Sequence, residues 1–280
     1  MLLKSVYLPT NEHPVSVFSH IHPSKEKSFT SINDVTFAAM EHGAALFGKA
    51  TFALDRGYDD NKMPLKLNTL KQDYVTRVKS NHKLLLHNKW ITAPELRNRY
   101  KGKLKMKLRY KGKEHDAYLS HVKVQITASG KNVYLVPFYG ITEPPMMLVT
   151  NKEIKSNDDV INVAFTYFSR WRIEEYFRCK KQLFQFENFR ARKLESIKAL
   201  NFYITICMAF LAHITMKSES HASKVAILQK ADHIKEKVHF CYYRLAKGIH
   251  GILSYVKEGI RHWFQTKSPA YHLFRLKLTA

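Results

Sequence analysis

Residues 101–113, KGKLKMKLRYKGK, carry Lys or Arg at every odd position. A helix would scatter such positions around its circumference, whereas a β-strand puts them all on one face. A strand is therefore the regular structure that separates these seven cations from Leu104, Met106, Leu108 and Tyr110. Cations two apart in a strand stand ~6.6 Å from each other, so the row could follow a phosphate backbone. The plainer account is an edge strand kept soluble by lysines. The charge of the whole chain favours contact with a polyanion. Lys and Arg number 46 against 23 Asp and Glu, a formal net charge of +23, and such an excess points most often to nucleic acid. Residues 83–113 alone hold eleven Lys or Arg against Glu95. Lys103, Lys105 and Lys107 are the expected DNA-contacting residues of this row.

The rest of the chain reads as α/β. Its 280 residues suit one large domain or a core carrying an insertion. Residues 4–20 suggest two short strands around the turn PTNEHP. A helix is predicted over 31–48, capped by Ser31 or Asn33 and closed by Gly48. ATFAL at 50–54 has the look of a buried strand and runs straight into the loop DRGYDDN. A further strand, YVTRVKS at 74–80, follows a short helical or loop segment containing LNTLKQ. HVKVQIT and VYLVPFY flank the turn ASGKN as a hairpin, within a β-rich block that ends near residue 151. Ser156, Asn157, Asp158 and Asp159 are good starting residues for a long helix over about 158–186. The remainder is mostly helical. Residues 199–216, ALNFYITICMAFLAHITM, lack Lys, Arg, Asp and Glu and are long enough for a bilayer. Asn201, Thr205 and His213 dilute the segment, and a helix buried against a sheet is expected. Cys179, Cys207 and Cys241 lack metal-ligand spacing and fit buried thiols in a reducing compartment such as the cytoplasm.

Within YFSRWRIEEYFRCKKQ, residues 167–182, helical geometry places Tyr167, Arg170, Glu174 and Lys181 within an arc of about 60°. Ile173, Tyr176, Phe177, Leu183 and Phe184 fall on another arc, suited to packing against a sheet. Arg170 and Glu174, at i and i+4, read equally well as a surface ion pair worth a few tenths of a kcal/mol. Asp55 adds weight to a functional reading. It sits where the apolar run ATFAL stops, and open α/β sheets gather ligands at the C-terminal ends of strands. As an ordinary residue it would open a turn with Gly57. Carboxylates in a protein that binds a polyanion are repelled by it unless cations intervene, and Mg²⁺ held by carboxylates and phosphate oxygens resolves the conflict.

The pattern Tyr167-x2-Arg170-x3-Glu174-x6-Lys181 resembles the signature of the DDE transposases of the bacterial insertion-sequence-four type. ALDRGYDDN with Asp55 and Arg56, MLVTN before the long helix, and FENFRARKLESIKAL are similar to that family too, over about residues 4 to 215. The resemblance implies a ribonuclease H-like mixed sheet with flanking helices, a β-rich insertion and a helical C-terminal region. On this division, 1–82 are the first part of the core, 83–151 the insertion, 152–216 the closing helices and 217–280 an extension. It also implies two Mg²⁺ or Mn²⁺ ions, with Asp55 and Glu174 as catalytic metal ligands. Tyr167, Arg170 and Lys181 then grip phosphates at transposon ends. The implied partners are double-stranded DNA and a second copy of the chain on paired ends.

The chain departs from the family at the first Asp of the triad. That residue belongs on a strand upstream of the two read at 4–20, and Asp34, inside a predicted helix, cannot replace it. The expectation is an N-terminally truncated transposase fragment, with the first catalytic strand missing from the middle of the sheet and strand cleavage and transfer impaired. An inactive DNA-binding remnant, or a regulator of an intact transposase, is the alternative. A base-stacking tryptophan found near the end of the insertion in some relatives has no counterpart among Phe138, Tyr139, Met146 and Met147.

Overall fold

Alternation within the central strands creates two apolar faces, and helices cover each. The computed structural model describes residues 2–7, 13–21, 31–110, 113–126, 130–186, 188, 190–191, 193–216, 221–231 and 242–266. In chain order, β1 (Leu2–Tyr7) and β2 (Val15–Ile21) precede α1 (Ile32–Phe47), β3 (Thr51–Leu54), a 3-10 turn (Arg56–Tyr58), α2 (Lys62–Thr69) and β4 (Asp73–Arg77). Next come β5 (Lys83–Leu86), β6 (Lys89–Thr92), α3 (Ala93–Arg99), β7 (Leu104–Tyr110), β8 (Lys113–Leu119), β9 (Val122–Ile126), β10 (Asn132–Tyr139) and β11 (Met146–Thr150). The helices α4 (Asn157–Ser169), α5 (Trp171–Leu183), α6 (Leu194–Met216), α7 (His221–Gln229) and α8 (Tyr242–Thr266) complete it.

Nine strands form one mixed sheet in the order β3-β4-β11-β10-β9-β5-β6, with β8 also on β10 and β7 on β8. β3 and β4 are parallel; β4 and β11 are antiparallel, as are β10 and β11. β1 and β2 make a separate two-stranded sheet. Among the described residues β3 therefore ends the large sheet. The block expected as an insertion is continuous with the core through β11, which pairs with β4 on one side and β10 on the other.

In β10, Val133 and Leu135 face a core shared with Met40 of α1, Met63 and Leu67 of α2 and Leu96 of α3. Val136 and Phe138 face the opposite core, with Val160, Val163, Ala164 and Tyr167 of α4. β4 divides likewise, Tyr74 to the first core and Val75 to the second. Phe138, Met146 and Met147 are thus buried core residues, and the Tyr139 hydroxyl donates to the Arg97 carbonyl. The motif MLVTN has a structural use: Asn151 accepts from the Tyr74 N–H at 2.8 Å and donates to the Gln72 carbonyl at 2.9 Å. Thr150 donates to the Tyr74 carbonyl. These side chains satisfy backbone groups of β4 and of Gln72 just before it.

Ser31 caps α1 by accepting from the Asp34 N–H at 3.1 Å and donating to the Asp34 carboxylate at 2.7 Å. Asp34 is accordingly a helix-starting residue. Ser156 and Asp159 form a reciprocal capping box on α4. The single helix expected over 158–186 is two helices, α4 and α5, joined at Arg170. There the Arg170 N–H bonds to the Tyr167 carbonyl at 3.2 Å and the Ile173 N–H to the Arg170 carbonyl at 2.9 Å. These i to i+3 bonds tighten one turn.

The chain divides into two compact units, one of Met1–Tyr7 with Ser16–Glu174 and one of Leu8–Val15 with Glu175–Ala280. The second has an all-helical core of Tyr176, Cys179, Ile204, Met208, Leu211, Tyr242 and Leu245, flanked by Phe177, Leu183 and Phe184. Both sheet-packing expectations, for the arc of α5 and for α6, are corrected here, because helices supply the partner surface. α6 is long and apolar enough to cross a bilayer by length and composition, with mean hydropathy 1.6. Its inward stripe of Asn201, Ile204, Met208 and Leu211 lies in this core, while Phe202, Tyr203, Ile206 and Phe210 are exposed. Lys180, 1% exposed, donates to Asn201 Oδ1 and Thr205 Oγ1. Cys179 is buried and Cys207 exposed, so the expectation of buried thiols holds for the former alone; Cys241 lies outside the described residues.

Candidate active site

The end of β3 and the joint between α4 and α5 bring together residues more than a hundred positions apart. Asp55 follows β3 and caps the 3-10 turn, Oδ1 accepting from the Arg56 N–H at 2.8 Å. The turn-opening and functional readings of Asp55 are therefore compatible, since the cap uses Oδ1 and leaves Oδ2 to face Arg170. Tyr167 Oη lies 3.4 Å from Asp55 Oδ1. Arg170 Nη1 lies 3.7 Å from Asp55 Oδ2, and Nη2 lies 3.5 Å from Glu174 Oε1. One guanidinium thus spans both carboxylates. Asp55, Tyr167, Arg170 and Glu174 belong to the same compact unit.

Exposure grades across this cluster. The Asp55 and Glu174 side chains are each 49% exposed, whereas that of Arg170 is 21% exposed. Tyr167 is 4% exposed. The acids face solvent and the basic and phenolic groups stand behind them. Both Arg170 contacts exceed the 2.7–2.9 Å of a tight charge-assisted bond, and its Nε, buried, has no acceptor among the described residues. The guanidinium neutralises the two acids without being saturated by either. It also sits 5.5 Å over the Tyr167 ring. Burial, then the negative charge of Asp55, raises the Tyr167 hydroxyl above its ordinary value, while Arg170 and Arg77 pull the other way. Tyr167 therefore stays a hydrogen-bond donor at neutral pH. The same two causes raise Tyr58, in the turn after Asp55.

The neighbouring acids of DRGYDDN have other duties. Asp59 accepts from His82 Nδ1 at 2.8 Å and from the Lys79 N–H at 2.6 Å. Its side chain is 4% exposed, so it anchors the loop carrying Asp55 to the end of β4. Asp60 accepts from the Lys62 N–H at the start of α2. Glu175 pairs with Arg178 at 2.8 Å. Arg77 was not anticipated. Its parity with Val75 along β4 puts it on the face toward α4, a signal that was present in YVTRVKS. Nothing local distinguishes Asp59 from Asp60.

Lys181 lies exposed near the end of α5, beyond the boundary of the first unit. In the basic row, Lys105 and Lys107 are exposed on β7 as expected. Lys105 Nζ, however, lies 2.9 Å from Asp116 Oδ2, and Lys107 Nζ 3.7 Å from Glu114 Oε2 on β8. The hydrogen bond from Lys105 holds Asp116 below the usual carboxylate range and raises Lys105 in turn. Lys103 precedes β7 and has neither of these partners.

As a metal site, the two solvent-facing carboxylates fit one Mg²⁺, which binds through one or two carboxylates and completes its shell with water and phosphate oxygens. A dinuclear centre needs more. Among the described residues no group of three or more His, Cys, Asp or Glu side chains is placed to hold a metal, so the expected pair of ions lacks a full donor set here.

Residues 12–210 match the family model of the transposase DDE domain, and the chain belongs to that family. No curated protein matches it. The family's activity is transposition of mobile elements, its substrate DNA, and its general cofactor a divalent metal ion.

Proposed function

We propose that this protein is a transposase of a bacterial insertion sequence of the insertion-sequence-four type, built on a ribonuclease H-like core. Its substrate is duplex DNA at transposon ends, held in the cytoplasm by a dimer on paired ends. The observation that carries the reading is the convergence of Asp55 and Glu174 on one guanidinium, 3.7 and 3.5 Å away. Two carboxylates 119 positions apart in sequence, from a strand end and a helix, face solvent beside a cation rather than being neutralised in a core.

Asp55 and Glu174 would hold Mg²⁺ or Mn²⁺. When bound, such an ion supplies Lewis acidity to phosphoryl oxygens and makes water more acidic. The chain's own groups do the positioning. Arg170 offers a two-pronged fork to a phosphate, Tyr167 a hydroxyl donor, and Lys181 a point charge. The reaction is hydrolysis of a phosphodiester at the transposon end, followed by in-line attack of the freed 3′-hydroxyl on target DNA.

A second reading rests on the excess of cations, a formal net charge of +23, which serves DNA binding whether or not strands are cut. On that reading the chain binds ends without cutting them and regulates an intact transposase by occupancy. Incubating the purified protein with labelled transposon-end duplex and Mn²⁺ separates the two. Nicking that disappears in Glu174→Gln supports the enzyme. A mobility shift with intact strands supports the regulator, and neither outcome on any end sequence of the element removes both readings.

A further inference from the structure

Along the basic row, the ion pairs follow a rule that runs out. Register places Lys105 opposite Tyr118, Lys107 opposite Asp116 and Arg109 opposite Glu114. Each paired lysine reaches the residue two positions earlier in β8 than its own opposite: Lys105 takes Asp116 and Lys107 takes Glu114. Continuing the same diagonal backwards, Lys103 would reach Tyr118 and Lys101 would reach Ser120, neither of which carries a carboxylate. The row is therefore compensated in its middle and uncompensated where it begins.

At that beginning lies an open cleft of about 740 Å³, whose polar lining includes Arg99, Lys101, Lys103, Ser120, His121 and Asn157. Among the described residues no Asp or Glu lines it. Arg99 carries an exposed pair with Glu95 at 2.6 Å. Lys101 and Lys103 are in no ion pair among the described residues. The wall carrying them is pinned by backbone contacts. The Lys103 N–H donates to the Leu119 carbonyl at 2.9 Å, and Ser120 Oγ donates to the Tyr100 carbonyl. Gly102 sits so close that an added Cβ would stand 2.6 Å from the Tyr118 carbonyl carbon. Two lysines thus leave a fixed stretch of chain at the mouth of a cavity within the size range of ligand sites.

We infer that this cleft, rather than the strand row of Lys105 and Lys107, is where the β-rich block takes the phosphodiester backbone of DNA, with Lys101 and Lys103 as its phosphate contacts. The inference rests on the DNA-processing reading above and assigns it a second contact region away from Asp55 and Glu174. Binding of a phosphate by Lys101 or Lys103 displaces no carboxylate. At Lys105 or Lys107 the phosphate must compete with Asp116 or Glu114.

The test compares two variants of equal charge loss, Lys101→Ala/Lys103→Ala and Lys105→Ala/Lys107→Ala, binding a labelled duplex across a salt series. Each lost phosphate contact lowers the slope of log affinity against log salt by about 0.9. The cleft variant should lower it by about two, the strand variant by less than half a unit, and Lys101→Arg/Lys103→Arg should keep the wild-type slope. Equal falls in both variants mean a general field effect and overturn the assignment, as does an unchanged slope in the cleft variant. Displacement of the duplex by micromolar thymidine 5′-phosphate overturns it in favour of a free nucleotide. If the wild-type protein itself binds no duplex at low salt, the DNA reading fails together with the cleft. A steep wild-type slope with an insensitive cleft variant removes the cleft alone.

Discussion

The carboxylate cluster and the β7–β8 ribbon both pair cations with acids, yet the pairs are built differently. On the ribbon, Lys105 with Asp116 and Lys107 with Glu114 are exposed side chains on adjacent antiparallel strands. Such pairs gain little against side-chain entropy and salt. At the cluster one partly buried guanidinium serves two acids from separate elements at distances that satisfy neither fully. The ribbon's charges are balanced locally. The cluster's are held in readiness, its acids facing solvent and its arginine short of acceptors. Ion-pair count is therefore a poor guide to function, and what separates the regions is that each exposed ribbon lysine has one acid of its own, whereas a single partly buried guanidinium is shared between two acids at the cluster.

The largest separation should appear in metal affinity. Asp55→Asn or Glu174→Gln should weaken Mn²⁺ binding by more than about 100-fold by calorimetry, because these are proposed direct ligands and even supporting residues cost 10–100-fold. Asp116→Asn and Glu114→Gln should leave it at the wild-type value. Equal losses at both regions would erase the distinction. Next in size is the backbone of the ribbon. Gly140 has φ +99°, and an added Cβ would stand 2.2 Å from the Asp116 carbonyl oxygen. Gly140→Ala should cost about 2–4 kcal/mol in chemical denaturation; a wild-type midpoint would mean the β8–β10 junction yields easily. Smallest is the exposed pair itself. A double-mutant cycle on Lys105 and Asp116 should return a coupling of roughly 0.2–1 kcal/mol that shrinks with salt. A larger, salt-independent value would make the ribbon pair a structural element and weaken the contrast with the cluster.

Much of this arrangement was legible beforehand, and the misses share one cause. Alternation in KGKLKMKLRYKGK identified β7 and its exposed face, because the side-chain period of a strand is local. Ser31 and Ser156 were readable as helix starts for the same reason. The acids of β8, which pair with two lysines of the row, lie in KEHDAYL, where polar and apolar residues alternate less cleanly and carry a weaker strand signal. The break at Arg170, between α4 and α5, has no local mark either. Helical periodicity continues through YFSRWRIEEYF, and nothing like Pro or Gly marks the tightened turn.

The residues alone decided the helix caps, the basic face of β7 and the spacing that set Tyr167, Arg170 and Glu174 near one another along the chain. These follow from contacts within a few positions, where backbone geometry leaves little choice. Tertiary structure decided that Asp55 meets Arg170, that Asp59 is an anchor instead of a ligand, that α6 packs on helices, and that Lys101 and Lys103 escape the pairing imposed on their neighbours. Those outcomes depend on sheet order and strand register, which bring distant charges within a few ångströms, a range at which Coulomb energy changes steeply and no local pattern records the partner.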